Sequence, residues 1–464
     1  MENRKEDFSK WYNEIVEISG LIDKRYPIKG MNILMPYGLK ISQLLDEHMR
    51  KFCDQSGIEE VYFPLLITRG QLEVEFEHLK GFESQVFWIT RGGTDKLEEE
   101  LSLRPTSESA MYPMFSLWIR THGDLPLKIF QLVNVYRYET KHTRAFLRDR
   151  EFHFFEAHTA HATFDEAEEQ ISQYIDIWKK LAEVMCIPFV LHRRPDWDKF
   201  AGAQYSIAAE TVMASGRSLQ LATFHQYGEN FAKPYEITYS DESGESRFVN
   251  QTTYGMSTRL IGGIIGTHGD DRGLLIPPDI APIQAVIVPI PSKRDPVPYA
   301  NKLKGILESA GIRSRVDSRD QYTPGYKYND WEMRGVPLRI EIGEREVTGS
   351  TATLVMRTAK GRKTVAESEL ANEVLNCLAQ VKQKLTESAA EKFRSMFTTA
   401  STLGGIKEAR GAASAIWCGS RECADKVEQE TEMTCLGNRV DIQEEGNCVV
   451  CGSHGKLATF SRTY

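Results

Sequence analysis

The 464-residue chain has no run approaching the ~18 uncharged apolar residues that a membrane-spanning helix requires, and its opening MENRKEDFSK carries charges with no apolar stretch behind them. Membrane insertion and secretion are therefore not expected. A surplus of positive charge is also missing: 57 lysines and arginines stand against 65 aspartates and glutamates, for a formal charge of −8. A polyanionic partner would have to be held by local patches rather than by a global field. Eight cysteines are too few for a disulfide scaffold, which points to a reducing, cytoplasmic setting. No G-x-x-x-x-G-K-[ST] phosphate loop occurs, since GRKT at 361 and GKLA at 455 both miss the pattern. G-x-S-x-G, H-E-x-x-H and G-x-G-x-x-G are absent as well. Gly262, Gly263, Gly266 and Gly269 have the wrong spacing for a dinucleotide fingerprint and read as a tightly packed strand or turn.

What is present is 41% hydrophobic residues, enough for real cores in about three domains. Phe8, Trp11, Tyr12, Ile15 and Ile18 recur at helical spacing, as do Ile41, Leu44, Leu45, Met49 and Phe52. The run LKIFQLVNVYRYE at 127–139 is β-rich and free of Gly and Pro, so it predicts a strand. A helix is expected over 164–186. Prolines 277, 278 and 282 then break the pattern before the apolar strand IQAVIVPI. Beyond it, the pattern predicts strand 283–290, helix 298–310, strand 312–317, helix 325–334, strands 337–342 and 351–357, and a helix from about 366. The expected fold class is α+β: an antiparallel or mixed sheet with helices over 1–282, an α/β unit over 283–380, and a small cysteine-bearing α/β module over 381–464.

Several side-chain groups could carry chemistry. Between Lys128 and Arg150 the segment holds Lys128, Arg137, Lys141, Arg144, Arg148 and Arg150 against Glu139 and Asp149, a local excess of four positive charges in an acidic protein. On a strand, Arg137 and Glu139 would project to one face. An arginine there could grip a carboxylate or phosphate bidentately, while the carboxylate beside it accepts from an exocyclic amine. EAHTAH at 156–161 admits a metal reading through His158 and His161. Cys418 and Cys423, with the C-x-x-C pair Cys448 and Cys451, offer four soft ligands for a closed structural zinc site, leaving Cys435 as a buried bystander. A redox pair is the alternative, disfavoured by the lack of a βαβ context.

Read together, these segments resemble a family. RYETKHTRAFLRDREFHFFEAH at 137–158 resembles motif 2 of the class II aminoacyl-tRNA synthetases, Gly30 to Pro64 resembles motif 1, and YGMSTRLIGGIIGTHGDDRGLLIPP at 254–278 resembles the motif 3 region with Arg259 in its arginine position. Within the class, LRPTSE at 103–108 and QLATFH at 220–225 are similar to the T-x-E loop and Q-x-A-T-x-H run of the prolyl-tRNA synthetases of archaeal and eukaryotic type.

The resemblance implies ATP-dependent activation of L-proline and its transfer to tRNA(Pro), by a cytoplasmic homodimer using ATP with Mg²⁺ and carrying structural Zn²⁺. It implies that Arg137 and Arg259 are catalytic. Proline would be bound by Thr106, Glu108, Arg137, Phe154, Glu156, His158 and His225, in a pocket without metal. Phe154 stands where many relatives carry Trp. ATP would be bound by Arg137, Glu139, Arg148, Gln220, Thr223, Ser257 and Arg259. Over 283–380 it implies an anticodon-binding domain with Lys327, Glu332 and Arg334 as candidate base contacts, and it implies that Tyr464 reaches back toward the catalytic domain. A synthetase for another amino acid, or an inactive tRNA-binding relative, would share motifs 1 to 3 or the fold. The combination of Thr106, Glu108 and the Q-x-A-T-x-H run separates the first, and the retained Arg137, Glu139 and Arg259 argue against the second.

Overall fold

The first helix, Phe8–Ile18, begins where the Asp7 carboxylate accepts the Lys10 N–H, and it buries Trp11, Tyr12, Ile15 and Val16 on one face. That face is a clamp. Tyr12 donates its hydroxyl to the Ala145 carbonyl at 3.0 Å and Trp11 its indole N–H to the Asp270 carbonyl at 3.2 Å, tying the basic segment to the end of the glycine-rich one. The computed structural model describes residues 7–76, 83–140 and 142–464; Lys141 of the basic segment lies outside them.

The central element is a twelve-stranded sheet. In spatial order it runs Phe397–Thr399, Ala412–Trp417, His454–Ser461, Thr434–Arg439, Val190–Arg193, Tyr205–Val212, Ser218–Gly228, Asn250–Ser257, Glu151–His161, Leu127–Tyr136 and Glu59–Glu60, with Glu445–Asn447 added beside His454–Ser461. Pairing is antiparallel except at the two outermost pairs. Helix Phe164–Met185, opened by a Thr163/Glu166 capping box, packs Ile171, Tyr174, Trp178 and Leu181 into the main core. A second, five-stranded sheet orders Ser314–Val316, Ala285–Pro289, Leu338–Ile342, Thr351–Met356 and Lys363–Ala366 and has its own core.

Four expectations change. The strand predicted over 127–139 ends at Tyr136. The Arg137 N–H still pairs with the Arg150 carbonyl at 2.9 Å, but the Tyr138 N–H turns to the Gln85 carbonyl at 2.7 Å, so Arg137 and Glu139 sit on a loop rather than on one strand face. The glycine cluster is a helix, Arg259–His268. A Cβ at Gly262 would lie 2.5 Å from Leu147 Cδ2, and one at Gly266 would lie 2.3 Å from Met213 Sδ. The glycines thus trade about 1 kcal/mol each of helix propensity for close contact, Gly262 with the 144–150 loop and Gly266 with Met213.

The boundary placed at 380 falls inside one helix, Leu370–Ser395. The C-terminal module, expected as a separate unit, extends the central sheet instead: Asn438 and Arg439 pair with Arg193 and His192. Strand pairing across such a distance leaves no local trace in sequence. The short helix Glu344–Gly349 and strand Lys363–Ala366 were not anticipated.

Candidate active site

An open cleft, enclosing about 1350 Å³ with its solvent-facing space, lies over the middle strands. Its lining includes Thr106, Glu108, Arg137, Glu139, Arg148, Phe154, Glu156, Gln220, Thr223, His225, Ser257 and Arg259. Residues spread over 150 positions of sequence are brought to one cavity because the loop before helix Glu108–Trp118, the 144–150 loop and the start of helix Arg259–His268 all meet above the sheet.

One end of the cleft is acidic and almost dry. Glu108 and Glu156 are 2% and 1% exposed. Thr106 donates its hydroxyl to the Glu108 carboxylate, and Tyr227 donates to the same group at 3.0 Å. Glu156 accepts from the Ser107 hydroxyl, from Gln131 Nε2 at 2.9 Å and from His158 Nε2 at 3.1 Å. Buried carboxylates held by donors in this way form a receptor for a compact cation. Glu108, Glu156 and His158 each offer a ligand atom, and these lie within 4.8 Å of one another.

His158 was expected to line this pocket and does not. It is fully buried behind Glu156, with Nδ1 near the Tyr112 and Thr253 hydroxyls at 3.2 and 3.3 Å. Its Nε2 hydrogen-bonds the Glu156 carboxylate from outside the cleft lining. His161 does not join it as a metal pair, because residues three apart on a strand face opposite ways; its Nε2 bonds the Thr159 hydroxyl at 2.8 Å.

Burial opposes charge on both members of the Glu156–His158 pair. Their mutual hydrogen bond outweighs it, aided at Glu156 by Ser107 and Gln131, holding Glu156 below its ordinary 4.5 and His158 above its ordinary 6.5. The histidine contribution to stability is complete below 6.5 and is lost as pH rises through the raised value. The glutamate contribution is complete above 4.5 and is lost as pH falls through the lowered one. His158→Gln is therefore expected to cost about 3–5 kcal/mol, with the largest gap from the parent between pH 4.5 and 6.5. Urea melts across pH 4 to 9 check this; a gap that does not change with pH would exclude an ionised pair.

His225 closes the cleft wall. Its Nδ1 bonds the Ser206 hydroxyl at 2.7 Å, Phe200 lies 4.8 Å away centre to centre, and the Tyr227 ring is parallel to it at 6.0 Å. Burial, with the charges of His158 and Arg194, pushes its pKa down to about 3, so the ring is a neutral wall at physiological pH.

The other end is cationic. Arg137 donates Nε to the Pro105 carbonyl at 3.0 Å and lies 5.4 Å from the Phe152 ring centre. Arg259 donates Nε to the Leu147 carbonyl at 2.9 Å, a bond that the close-packed glycine helix makes possible. Arg148 pairs with Glu139 at 3.3 Å and reaches the Tyr464 carbonyl at 3.4 Å, while the Tyr464 hydroxyl bonds Ser215 at 2.7 Å. Burial and the charges of Arg137 and Arg148 push Arg259 down to about 10, still cationic at neutral pH. Three guanidiniums converging against their own repulsion make a site for a polyanion.

Sequence reading missed Ser107, Gln131 and Tyr227, which hold the two carboxylates, and also Phe152, Phe200 and Arg194 in the lining. The Arg193-Arg194-Pro195 run was the one available signal for the last.

Two further groups lie away from the cleft. The sulfurs of Cys418, Cys423, Cys448 and Cys451 lie within 4.8 Å of one another, with Cys418 and Cys451 3.7 Å apart. That is too long for a disulfide bond and close to the ~3.8 Å tetrahedral edge implied by Zn–S distances of about 2.3 Å. Cys435 is buried outside the cluster.

The three candidate base contacts, by contrast, are engaged elsewhere. Lys327 is buried, with Nζ donating to the Asp317 carbonyl at 3.1 Å. Glu332 pairs with Arg272 at 2.6 Å across the domain junction, and Arg334 pairs with Asp330 at 3.1 Å. On the same helix region Tyr322 and Tyr326 are exposed and stacked at 4.3 Å, with the Arg319 guanidinium 5.1 Å from the first ring.

Comparison with known proteins gives three family matches: the tRNA synthetase class II core domain (G, H, P, S and T) over residues 87–268, an anticodon binding domain over 284–376, and the prolyl-tRNA synthetase C-terminal domain over 404–464. The chain is 59% identical over 464 residues to a proline–tRNA ligase of Thermoplasma volcanium, covering all of both chains. It is 47% identical to one of Thermococcus kodakarensis, covering 99% of this chain and 98% of the other. Among solved structures, prolyl-tRNA synthetase from Cryptosporidium parvum, complexed with halofuginone and AMPPNP, superposes with a TM-score of 0.96 at 32% identity over 100% of this chain and 99% of that one.

Proposed function

We propose an assignment of roles that starts from the chain's family: it belongs to the proline–tRNA ligases, class II synthetases that activate proline with ATP and transfer it to tRNA(Pro). The observation that carries the assignment is the polarity of the cleft, acidic and dry at Glu108 and Glu156, cationic at Arg137, Arg148 and Arg259.

Proline is a secondary ammonium with two N–H donors, and Glu108 with Thr106 and Glu156 accept them. Phe154 and the neutral His225 wall the ring. This puts the proline carboxylate at Arg137, whose planar fork can bridge it to the α-phosphate of ATP. One carboxylate oxygen attacks the α-phosphorus, forming prolyl-adenylate and releasing pyrophosphate. Arg148 and Arg259 hold the outer phosphates, Glu139 accepts from the adenine amine, and Gln220, Thr223 and Ser257 contact the nucleotide. Mg²⁺ arriving with ATP supplies further charge neutralisation. No protein nucleophile is needed, so alignment and preorganised positive charge provide the acceleration. A ribose hydroxyl of the terminal tRNA adenosine then attacks the prolyl carbonyl and displaces AMP.

Replacing Glu108 with Gln tests the amine end. A hydrogen bond to a charged group is at stake, so the KM for proline in pyrophosphate exchange is expected to rise about 10- to 100-fold, with the KM for ATP little changed. Equal effects on both would reject the assignment.

The thiols of Cys418, Cys423, Cys448 and Cys451 fit a structural Zn²⁺, which would tie the end of strand Ala412–Trp417 and the first turn of helix Arg421–Thr431 to the 448–451 segment. The exposed Tyr322 and Tyr326 pair, flanked by Arg319, suits stacking with unpaired anticodon bases better than the side chains expected from sequence. The open edge of Glu59–Glu60, beside exposed Tyr62, Leu66, Leu117 and Trp118, supports a homodimer through this face. Among the described residues no helix is long and apolar enough to cross a membrane, and a role in translation fits the cytoplasm. The working division is a catalytic domain to about 282, an anticodon-binding domain ending within helix Leu370–Ser395, and a zinc module after it.

A further inference from the structure

We infer that Arg194 is a positioning residue for adenylate formation: it fixes the side-chain amide of Gln220 so that the NH₂ group, and not the carbonyl oxygen, faces the nucleotide. The inference rests on the reading of Gln220 as a nucleotide contact.

Arg194 follows strand Val190–Arg193 and enters the cleft lining with its side chain 11% exposed. Its Nη2 donates to Gln220 Oε1 at 2.6 Å and to Glu210 Oε1 at 3.0 Å, and its Nη1 lies 3.2 Å from Asp198. A guanidinium has donors and no acceptor, so the amide oxygen of Gln220 must be the atom turned toward it. The amide is planar, and its NH₂ is sent the other way, into the cleft that both residues line.

Left to itself, a glutamine amide has a broad, two-fold terminal torsion and could turn its oxygen outward at little cost. That oxygen would meet phosphate or ribose oxygens as acceptor against acceptor. Arg194 removes the wrong orientation before ATP arrives, which is preorganisation of a donor at the reacting end of the substrate.

The arginine is itself held from behind. Glu210 is 2% exposed and sits opposite Gln220 in the strand register, and its Oε2 lies 2.6 Å from Nδ1 of the fully buried His192. Burial alone would push the Glu210 carboxyl up; Arg194 and His192 hold it below its ordinary value. The side chains Gln220, Arg194, Glu210 and His192 thus form a relay from the cleft floor into the sheet. His192 lies on the strand that pairs with Thr434–Arg439 of the C-terminal module, so the relay is anchored where the two parts of the sheet join.

A double-mutant cycle on the full-length protein tests this, using R194M, Q220A and R194M/Q220A in proline-dependent pyrophosphate exchange. Each single variant is expected to raise the KM for ATP about tenfold, the scale of one hydrogen bond to a charged group, with the KM for proline within about twofold. The double variant is expected to be no worse than Q220A. Because R194M strands the buried Glu210 charge, R194M/E210Q is measured in parallel; it should recover the melting temperature of the parent while the KM for ATP stays high. Multiplying effects in the double variant would mean that Arg194 acts on the nucleotide by itself and would overturn the inference. A normal KM for ATP in R194M/E210Q would also overturn it. A Q220A variant with unchanged kinetics would reject the nucleotide role of Gln220 and this inference with it, leaving the Glu108 assignment to its own test.

Discussion

Arg137→Ala is expected to lower proline-dependent pyrophosphate exchange at least about 1000-fold while the protein stays folded. Arg137 belongs to the cationic end of the cleft, its Nε held by the Pro105 carbonyl in the segment that leads to Thr106 and Glu108. That bond fixes the plane of the guanidinium in the cleft, and in the proposed assignment the group bridges the carboxylate and the α-phosphate. During attack the carboxylate gives up charge while negative charge builds on the α-phosphate oxygens, so the interaction with the phosphate strengthens in the transition state and its loss falls on kcat as well as on KM. Burial works against charge on this guanidinium and lowers its pKa, while the nearby carboxylates Glu108, Glu156 and Glu139 favour the charged form.

The fold should survive because the side chain borders an open cleft that water can fill. Arg137→Lys should not rescue, since an ammonium is a point charge without the bidentate fork. Exchange rates measured beside thermal melts decide the matter: exchange within tenfold of the parent would remove Arg137 from the chemistry.

The second large effect is expected at the cysteine cluster. Cys423→Ser should abolish zinc binding and destabilise the C-terminal module by at least about 3 kcal/mol, on the order of 10 °C in its melting transition. Zinc in finger peptides contributes more than this. Here the module also has a core of Trp417, Val427, Phe460 and their neighbours and shares a sheet with the catalytic domain, so part of its order is supplied without metal.

Cys423 is a demanding position to lose. It is buried in the first turn of helix Arg421–Thr431, whose Ser420 cap accepts the Cys423 N–H at 3.2 Å, so the thiol is fixed by secondary structure. Metal analysis with Cys435→Ser as the control gives the reading. Zinc retained in full by Cys423→Ser would reject the ligand set, and zinc lost from Cys435→Ser would redraw it.

What was legible in sequence was whatever chemistry is written at short range. R-x-E, F-L-R-x-x-E-F, T-S-E, Q-x-A-T-x-H and the paired cysteines each combine residue types within a few positions, and the structure brings the first four to one cleft and the cysteine sulfurs to one cluster. Strands and helices followed from periodicity where one face is buried, as in Phe164–Met185 and Ala285–Pro289. The glycine cluster was misread because its helical signal lies in what packs against it. Leu147 and Met213 come from distant segments, and glycine carries no side chain to show the period.

The sequence by itself determined the family, the residue types at the reacting end of the cleft and the four thiols, since these chemistries demand particular atoms at short fixed spacing. Only the tertiary structure decided which way side chains face and what lies behind them. His158 stands behind Glu156, Glu332 and Arg334 are taken into ion pairs, and Arg194 grips Gln220. It alone joined the C-terminal strands to the catalytic sheet through Asn438 and Arg439. The reason is physical: strand register and side-chain direction are fixed by the burial of whole faces against partners hundreds of residues away, and that energy is a property of the assembled surfaces, not of any local run of residues.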